Sequence, residues 1–274
     1  RTESSAASDV YKRQVVITVV SVTLVSTGIV PVTTLSTVVT VIALIAAVVL
    51  WWQMYSSPLT TKSEKTRLVG FIPMFVSGVL FFGIFQQQFT VLAIYSDIRL
   101  DREIFGWEMS PAWINSINPI FIIAFSMVFA AAWSKLGDRQ WSTPVKFGVA
   151  NIIIGISLFF FIPFSGGGEN STPLYAIIWI LFLFTMGELM LSPVGNALAT
   201  KVAPAAFPSR MMAVWLMAVA MGTSLAGTLA GFYNYEDAAA ENTFFITLGI
   251  ASVVLGLILL ALRKWIVKEF VDVR

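Results

Sequence analysis

Between Leu174 and Thr200 the chain reads LYAIIWILFLFTMGELMLSPVGNALAT, an almost wholly apolar stretch with a single charge, Glu188, near its middle. As a helix, this stretch places Glu188 roughly 20 Å from Lys201 at its C-terminal end, near the centre of a bilayer. A charge at that depth is costly unless it is paired, hydrated or neutralised, and is by default a functional feature. Ser192-Pro193 and Gly195 come within the next two turns and are expected to loosen the helix, since proline removes a backbone donor. An acid beside an interrupted helix at mid-membrane is an arrangement from which solute sites in lipid are built. A carboxylate that simply bridges neighbouring helices would give the same pattern. Three further polar features stand in apolar surroundings. Gln86-Gln87-Gln88 cannot share one helix face at about 100° per residue, so part of the run should point towards other helices, as hydrogen-bonding glue or as a contact to a bound solute. Asn118-Pro119 sets a polar side chain beside a break in the hydrogen-bond ladder. Trp215 lies a little deeper than an interfacial belt position.

Composition sets the class in which these residues act. The chain is 57% hydrophobic and only 12% charged, with a mean hydropathy of +0.84, whereas a soluble domain carries about 25% charged residues. Cys and His are both absent. That removes disulfides, thiolate nucleophiles, the usual zinc sites and imidazole proton relays. No nucleophile–base pair, metal cluster, phosphate loop or nucleic-acid-binding pattern is present, so no enzyme activity and no cofactor is expected.

The elements that must position the polar residues can be read from apolar length. Val15–Val30 and Val32–Tyr55 are apolar runs hinged at Gly28 and Pro31. Their Val and Thr content favours strands in water, but in lipid an isolated strand leaves its backbone unsatisfied, so a helical hairpin over 15–55 is expected. A charged linker, 56–67, leads to six spans at about 68–96, 111–134, 143–163, 174–200, 208–232 and 243–266, each near the roughly 20 residues that a crossing requires. Counting Lys and Arg loop by loop gives 12 in the linker, the 135–146 and 201–210 loops and the tail, against 2 (Arg99 and Arg102) in the intervening loops. The positive-inside rule then makes both ends of the six-span bundle (68–274) cytoplasmic. The remaining acids, Asp97/Asp101/Glu103 and Glu236/Asp237/Glu241, read as solvated loop residues, and Gly166-Gly167-Gly168 as a flexible turn. Residues 1–14 are polar and share nothing with the apolar remainder of the chain. Asp9–Gln14 (DVYKRQ) resembles the translation of a transposase-end adaptor, and 1–14 is expected to be a non-native joining segment.

The ordered segments FQQQFTVLAIYSD, IFGWEM, AWINSINPIFIIAFSMVFA, LGDR, STPVKF, GELMLSPVGNALATKVAP and MMAVWLMAVAMGTSLAG resemble the C-terminal half of proton-dependent oligopeptide transporters (the POT, or PTR, family). The likeness runs from about Arg67 to Val267, and the preceding hairpin is similar to the two extra helices of bacterial members. It implies an all-α integral membrane chain: the C-terminal six-helix bundle of a major facilitator fold, in the plasma membrane, preceded by a hairpin. It also implies that a di- or tripeptide is moved inward with protons by alternating access. In that resemblance Glu188 matches the acid that meets the peptide's amino terminus and is the local protonation candidate. Asn118 matches a peptide-bonding Asn, and Trp215 a pocket-lining Trp. Gln86 and Phe82 occupy substrate-site positions where many members carry Glu and Trp, and Val219 stands where some carry a pocket serine. The N-terminal six-helix bundle, with the family's Glu-x-x-Glu-Arg motif, is missing, so the chain alone is expected not to transport. Two other readings remain open: a facilitator of another solute such as nitrate or an amino-acid derivative, and a membrane scaffold that transports nothing.

Overall fold

The computed structural model describes residues 31–271 together with 15–16, 18–20, 22–23 and 26–28. The segment expected to be non-native lies outside the described residues, as does part of the first run of the expected hairpin. From Val32 onward eight α-helices succeed one another: α1 (Val32–Ser56), α2 (Lys62–Phe85), α3 (Val91–Ile98), α4 (Ile117–Leu136), α5 (Thr143–Phe159), α6 (Leu174–Val202), α7 (Pro208–Ala230) and α8 (Ala238–Glu269). Counting α2 and α3 as one interrupted stretch, seven are long and apolar enough to cross a membrane.

Local sequence explains the helix boundaries. α2 begins inside the stretch read as linker because Thr61-Lys62-Ser63-Glu64 forms a capping box. Thr61 N–H donates to Glu64 Oε2 at 2.8 Å, while Glu64 N–H reaches Thr61 Oγ1 at 3.4 Å. Glu64 Oε1 also accepts from the Ala205 N–H at 2.8 Å, tying this helix start to the α6–α7 loop. The glutamine run does not continue α2. Gln86–Phe89 tightens into a 3₁₀ turn before α3. Asn118-Pro119 does not break a helix in mid-span either. A 3₁₀ turn, Pro111–Ser116, leads into α4, so Pro119 falls in the first turn, where its missing N–H costs little. Conversely, α6 runs through Pro193 without interruption. The expected loosening is confined to the Leu189 carbonyl, which loses its usual helical donor.

The helices pack through small residues, as expected where lipid removes the hydrophobic drive between them. α5 and α8 meet backbone to backbone. A Cβ on Gly148 would sit 2.9 Å from the Gly256 carbonyl oxygen, and one on Gly155 would sit 2.7 Å from that of Gly249. Both partners are seven residues apart on their own helices, so the two antiparallel stripes stay in register. α1 lies on α7 along a hydroxyl seam, where Ser224 Oγ donates to the Ser36 carbonyl at 2.5 Å. Trp51 Nε1 donates to the Leu68 carbonyl, joining α1 to α2. Gln87 Nε2 donates to the carbonyls of Gly83 and Ala226 at 3.1 and 3.2 Å, which makes it α2–α7 glue.

One end of the bundle is clasped by charges that the sequence pattern assigns to solvent. Glu241 lies in the first turn of α8 and is fully buried. Its Oε2 is 3.0 Å from Arg99 Nη2, and Arg99 is only 3% exposed. Glu241 also accepts from Arg99 Nε at 3.2 Å, the Tyr233 hydroxyl at 2.7 Å and the Gly166 N–H at 2.9 Å. Arg99 Nη2 donates to the Tyr235 carbonyl at 2.7 Å. The expectation that Glu241 is a solvated loop acid is therefore overturned: Asp237 caps α8, which starts at Ala238 rather than at the expected 243, and draws Glu241 into the helix. The glycine run is likewise pinned at Gly166, whose φ is +71° and whose N–H is committed to Glu241. Between Arg99 and α4 a two-residue hairpin pairs Glu103 with Glu108 and Ile104 with Trp107. Its turn, Phe105-Gly106, carries two positive φ angles (53° and 79°), as a type I′ turn requires.

Candidate binding site

Glu188 opens onto a cleft of about 370 Å³ between α4 and α6, within the size range of small-molecule sites. α6 contributes Glu188, Ser192 and Asn196, spaced four apart and therefore stacked on one face, with Leu189 and Pro193 beside them. α4 contributes Ile122, Ser126, Phe129, Ala130 and Trp133 from a single face. The walls are mostly apolar, and the polar groups are few and converge.

The electrostatic feature of the cleft is an unmet carboxylate. Asn118 is 3% exposed and faces Glu188 from the start of α4. The two side chains interact, but without standard hydrogen-bond geometry: Asn118 Nδ2 and Glu188 Oε2 are both buried without a well-formed partner. The Trp133 Nε1 lower in the cleft is unpartnered as well. Unpaired buried polar atoms cost free energy, more so when charged. A group that donates hydrogen bonds and carries positive charge would satisfy Glu188, whereas Asn118 Nδ2, itself a donor, needs an acceptor beside that charge. Among the described residues no group of three or more metal-ligating side chains exists.

The other residues singled out from the sequence lie elsewhere. Trp215 is 1% exposed and does not line the cleft. Its ring packs against Phe71, Phe82 and Phe147 with centroids 5.9–6.3 Å away. Phe82, 6% exposed, belongs to this aromatic group and continues it to Phe81 and Phe85. Gln86 stands one turn beyond Phe82 and donates to Thr223 Oγ1 of α7 at 3.0 Å. Glu188 thus lines the cleft with Asn118 buried beside it, while Phe82 and Trp215 form a buried wall behind α6. Asn196, Ser192 and Ser126 also line the cleft, and neither Asn196 nor Ser126 stands out in the sequence as a site residue. The signal for Asn196 is present in the spacing Glu188, Ser192, Asn196.

A family model described as POT family matches residues 2–246. The chain belongs to the POT family. It is 40% identical over 211 residues to "Uncharacterized transporter YclF" of Bacillus subtilis (strain 168), a match covering 76% of this chain and 42% of that protein. It is 34% identical over 234 residues to the "Di-/tripeptide transporter" of Lactococcus lactis subsp. cremoris, covering 83% of this chain and 46% of that protein. Among solved structures, the peptide transporter POT in complex with sulfate superposes with a TM-score of 0.82 at 36% identity, over 97% of this chain and 54% of that one. The chain therefore spans about half the length of the relatives it matches. Its fold is the all-α, membrane-spanning architecture of these major facilitator transporters, and its family is one of transporters rather than enzymes.

Proposed function

We propose that this chain is the C-terminal half of a proton-coupled importer of di- and tripeptides, working by alternating access against an N-terminal six-helix bundle. The observation that carries the reading is the buried, unpartnered carboxylate oxygen of Glu188 at a cleft in mid-span. A peptide's terminal ammonium supplies the charge and the donors that Glu188 Oε2 lacks among the described residues, so substrate binding forms the missing pair. Asn118 Nδ2 is left to donate to an acceptor of the peptide beside that ammonium, such as a carbonyl oxygen. When no ammonium is present, a proton neutralises Glu188, which makes it the candidate for coupling in this half. The 12-to-2 distribution of Lys and Arg supports a plasma-membrane orientation with the C-terminus and the α6–α7 loop in the cytoplasm. The name of the Lactococcus relative supports peptides over other solutes.

The test is uptake of a labelled dipeptide by a transporter that joins this half to an N-terminal bundle. Glu188→Gln removes the charge and keeps the volume. It is expected to abolish uptake of dipeptides with a free amino terminus. Uptake at the parent level by that variant would overturn the assignment of Glu188.

A further inference from the structure

Resting on the peptide-binding reading above, we infer that Asn196 is a second substrate contact in this cleft, and that Trp215 is a positioning residue acting through it. Trp215 Nε1 donates to Asn196 Oδ1 at 2.8 Å. An indole nitrogen can only donate, so the asparagine must present its oxygen to the ring, and the orientation of the amide is fixed by chemistry. Asn196 Nδ2 is turned away from the indole and has no hydrogen-bond partner among the described residues. Asn196 lines the cleft. A locked donor therefore serves the cleft at a place where a freely rotating amide would offer oxygen as readily as nitrogen.

The locking group is itself held rigidly. The Trp215 ring is walled in by Phe71, Phe82 and Phe147. It also lies flush against two glycines: a Cβ on Gly78 would come within 2.8 Å of it, and one on Gly195 would overlap it. Gly195-Asn196 thus works as one device, the glycine admitting the ring to the α6 backbone and the asparagine receiving its N–H. Because Trp215 is 1% exposed, it reaches a ligand only through Asn196.

Spacing identifies what the donor meets. Glu188 and Asn196 are eight residues apart on a continuous helix, about 12 Å along its axis. An extended dipeptide spans at most about 7 Å, and a hydrogen bond at either end adds roughly 3 Å. A substrate whose ammonium pairs with Glu188 therefore brings a carbonyl or carboxylate oxygen to Asn196 Nδ2. The pair selects for an ammonium and an acceptor separated by about one dipeptide length.

The experiment measures KM and maximal rate of dipeptide uptake, in the joined transporter, for Asn196→Asp, Trp215→Phe and the double variant, with surface abundance measured in parallel. Asn196→Asp still accepts the indole N–H but replaces the donor with a carboxylate oxygen. KM should rise about tenfold, equivalent to about 1.4 kcal/mol, with maximal rate per surface molecule preserved. Trp215→Phe should raise KM in the same direction by a smaller factor, and should add nothing once Asn196→Asp is present. If Asn196→Asp does not reach the membrane, Asn196→Ala supplies the same KM comparison. Glu188-dependent uptake with an unchanged KM in the Asn196 variants overturns this inference and leaves the peptide reading standing. Effects of Trp215→Phe that multiply with those of Asn196→Asp overturn the positioning role. Absence of any peptide uptake by the parent overturns both readings together.

Discussion

Arg99→Met is the most informative perturbation of the fold itself. It keeps an apolar chain of similar reach and strands the Glu241 carboxylate, which is fully buried away from bulk solvent. The Tyr233 hydroxyl and the Gly166 N–H would remain as donors, so the charge would keep partial solvation but lose its counter-ion. Removing one member of a buried pair costs about 3–5 kcal/mol. On the scale of globular chains of this size that corresponds to on the order of 10 °C in Tm. Because Trp occurs nine times and Cys not at all, intrinsic fluorescence during heating in detergent is the direct assay. The decisive control is Arg99→Met/Glu241→Leu, which removes both charges. Apolar replacement of a whole buried pair is often neutral or favourable, so the double variant should recover much of the loss. A single variant within about 1 kcal/mol of the parent, on the scale of an exposed ion pair, or a double variant that is no better than the single, would refute the view that a desolvated pair clasps this end of the bundle.

Two further outcomes are expected from the same geometry. Burial, then hydrogen-bond donation to Glu241, raise the Tyr233 phenol well above its ordinary value of 10.0, with Arg99 opposing in part. The folded state then holds a proton that the unfolded chain loses. Stability from this group is intact below pH 10 and falls as pH rises above it, and Tyr233→Phe should flatten that alkaline slope in unfolding measurements. Equal slopes in the two proteins would refute it. Gly155→Ala forces a Cβ to within 2.7 Å of the Gly249 carbonyl oxygen. It should destabilise by about 1–3 kcal/mol through forced separation of α5 and α8, read as a lowered Tm. An unchanged Tm would mean that the seam is softer than its spacing implies.

What can be read from the sequence depends on how far apart the interacting residues stand in it. The spans are legible because apolar length alone decides whether a segment crosses lipid, and Glu188 is legible because one charge in such a run has no local explanation. The Arg99–Glu241 pair is not, since its members are 142 positions apart and each sits among other charges that look solvated. Helix ends move where capping overrides apolar content, at Thr61–Glu64 and at Asp237. The triple glutamine reads as a continuation of the span because the surrounding residues are helix-compatible, and the 3₁₀ turn comes with a tertiary bond to α7 that no local pattern announces. The family resemblance, rather than its depth, makes Trp215 a pocket-lining residue, and within this half it stands behind the α4–α6 cleft. Whether a large aromatic residue lines a cavity or stands behind it is decided by its neighbours, here Gly78 and Gly195, rather than by its position along the helix.

The glycine seam between α5 and α8 bears on where this half can bend. With backbone resting on backbone at Gly148/Gly256 and Gly155/Gly249, sliding one helix past the other would drive peptide groups through each other. The two act as a single double-thickness stave. α4 is the opposite case: Asn118 is the one buried residue along it. Compliance in this bundle therefore concentrates in α4 and in its seam with α6. The wall of the cleft that can yield is thus the one facing Glu188, so a change in the width of the cleft need not disturb the stave that anchors the rest of the half.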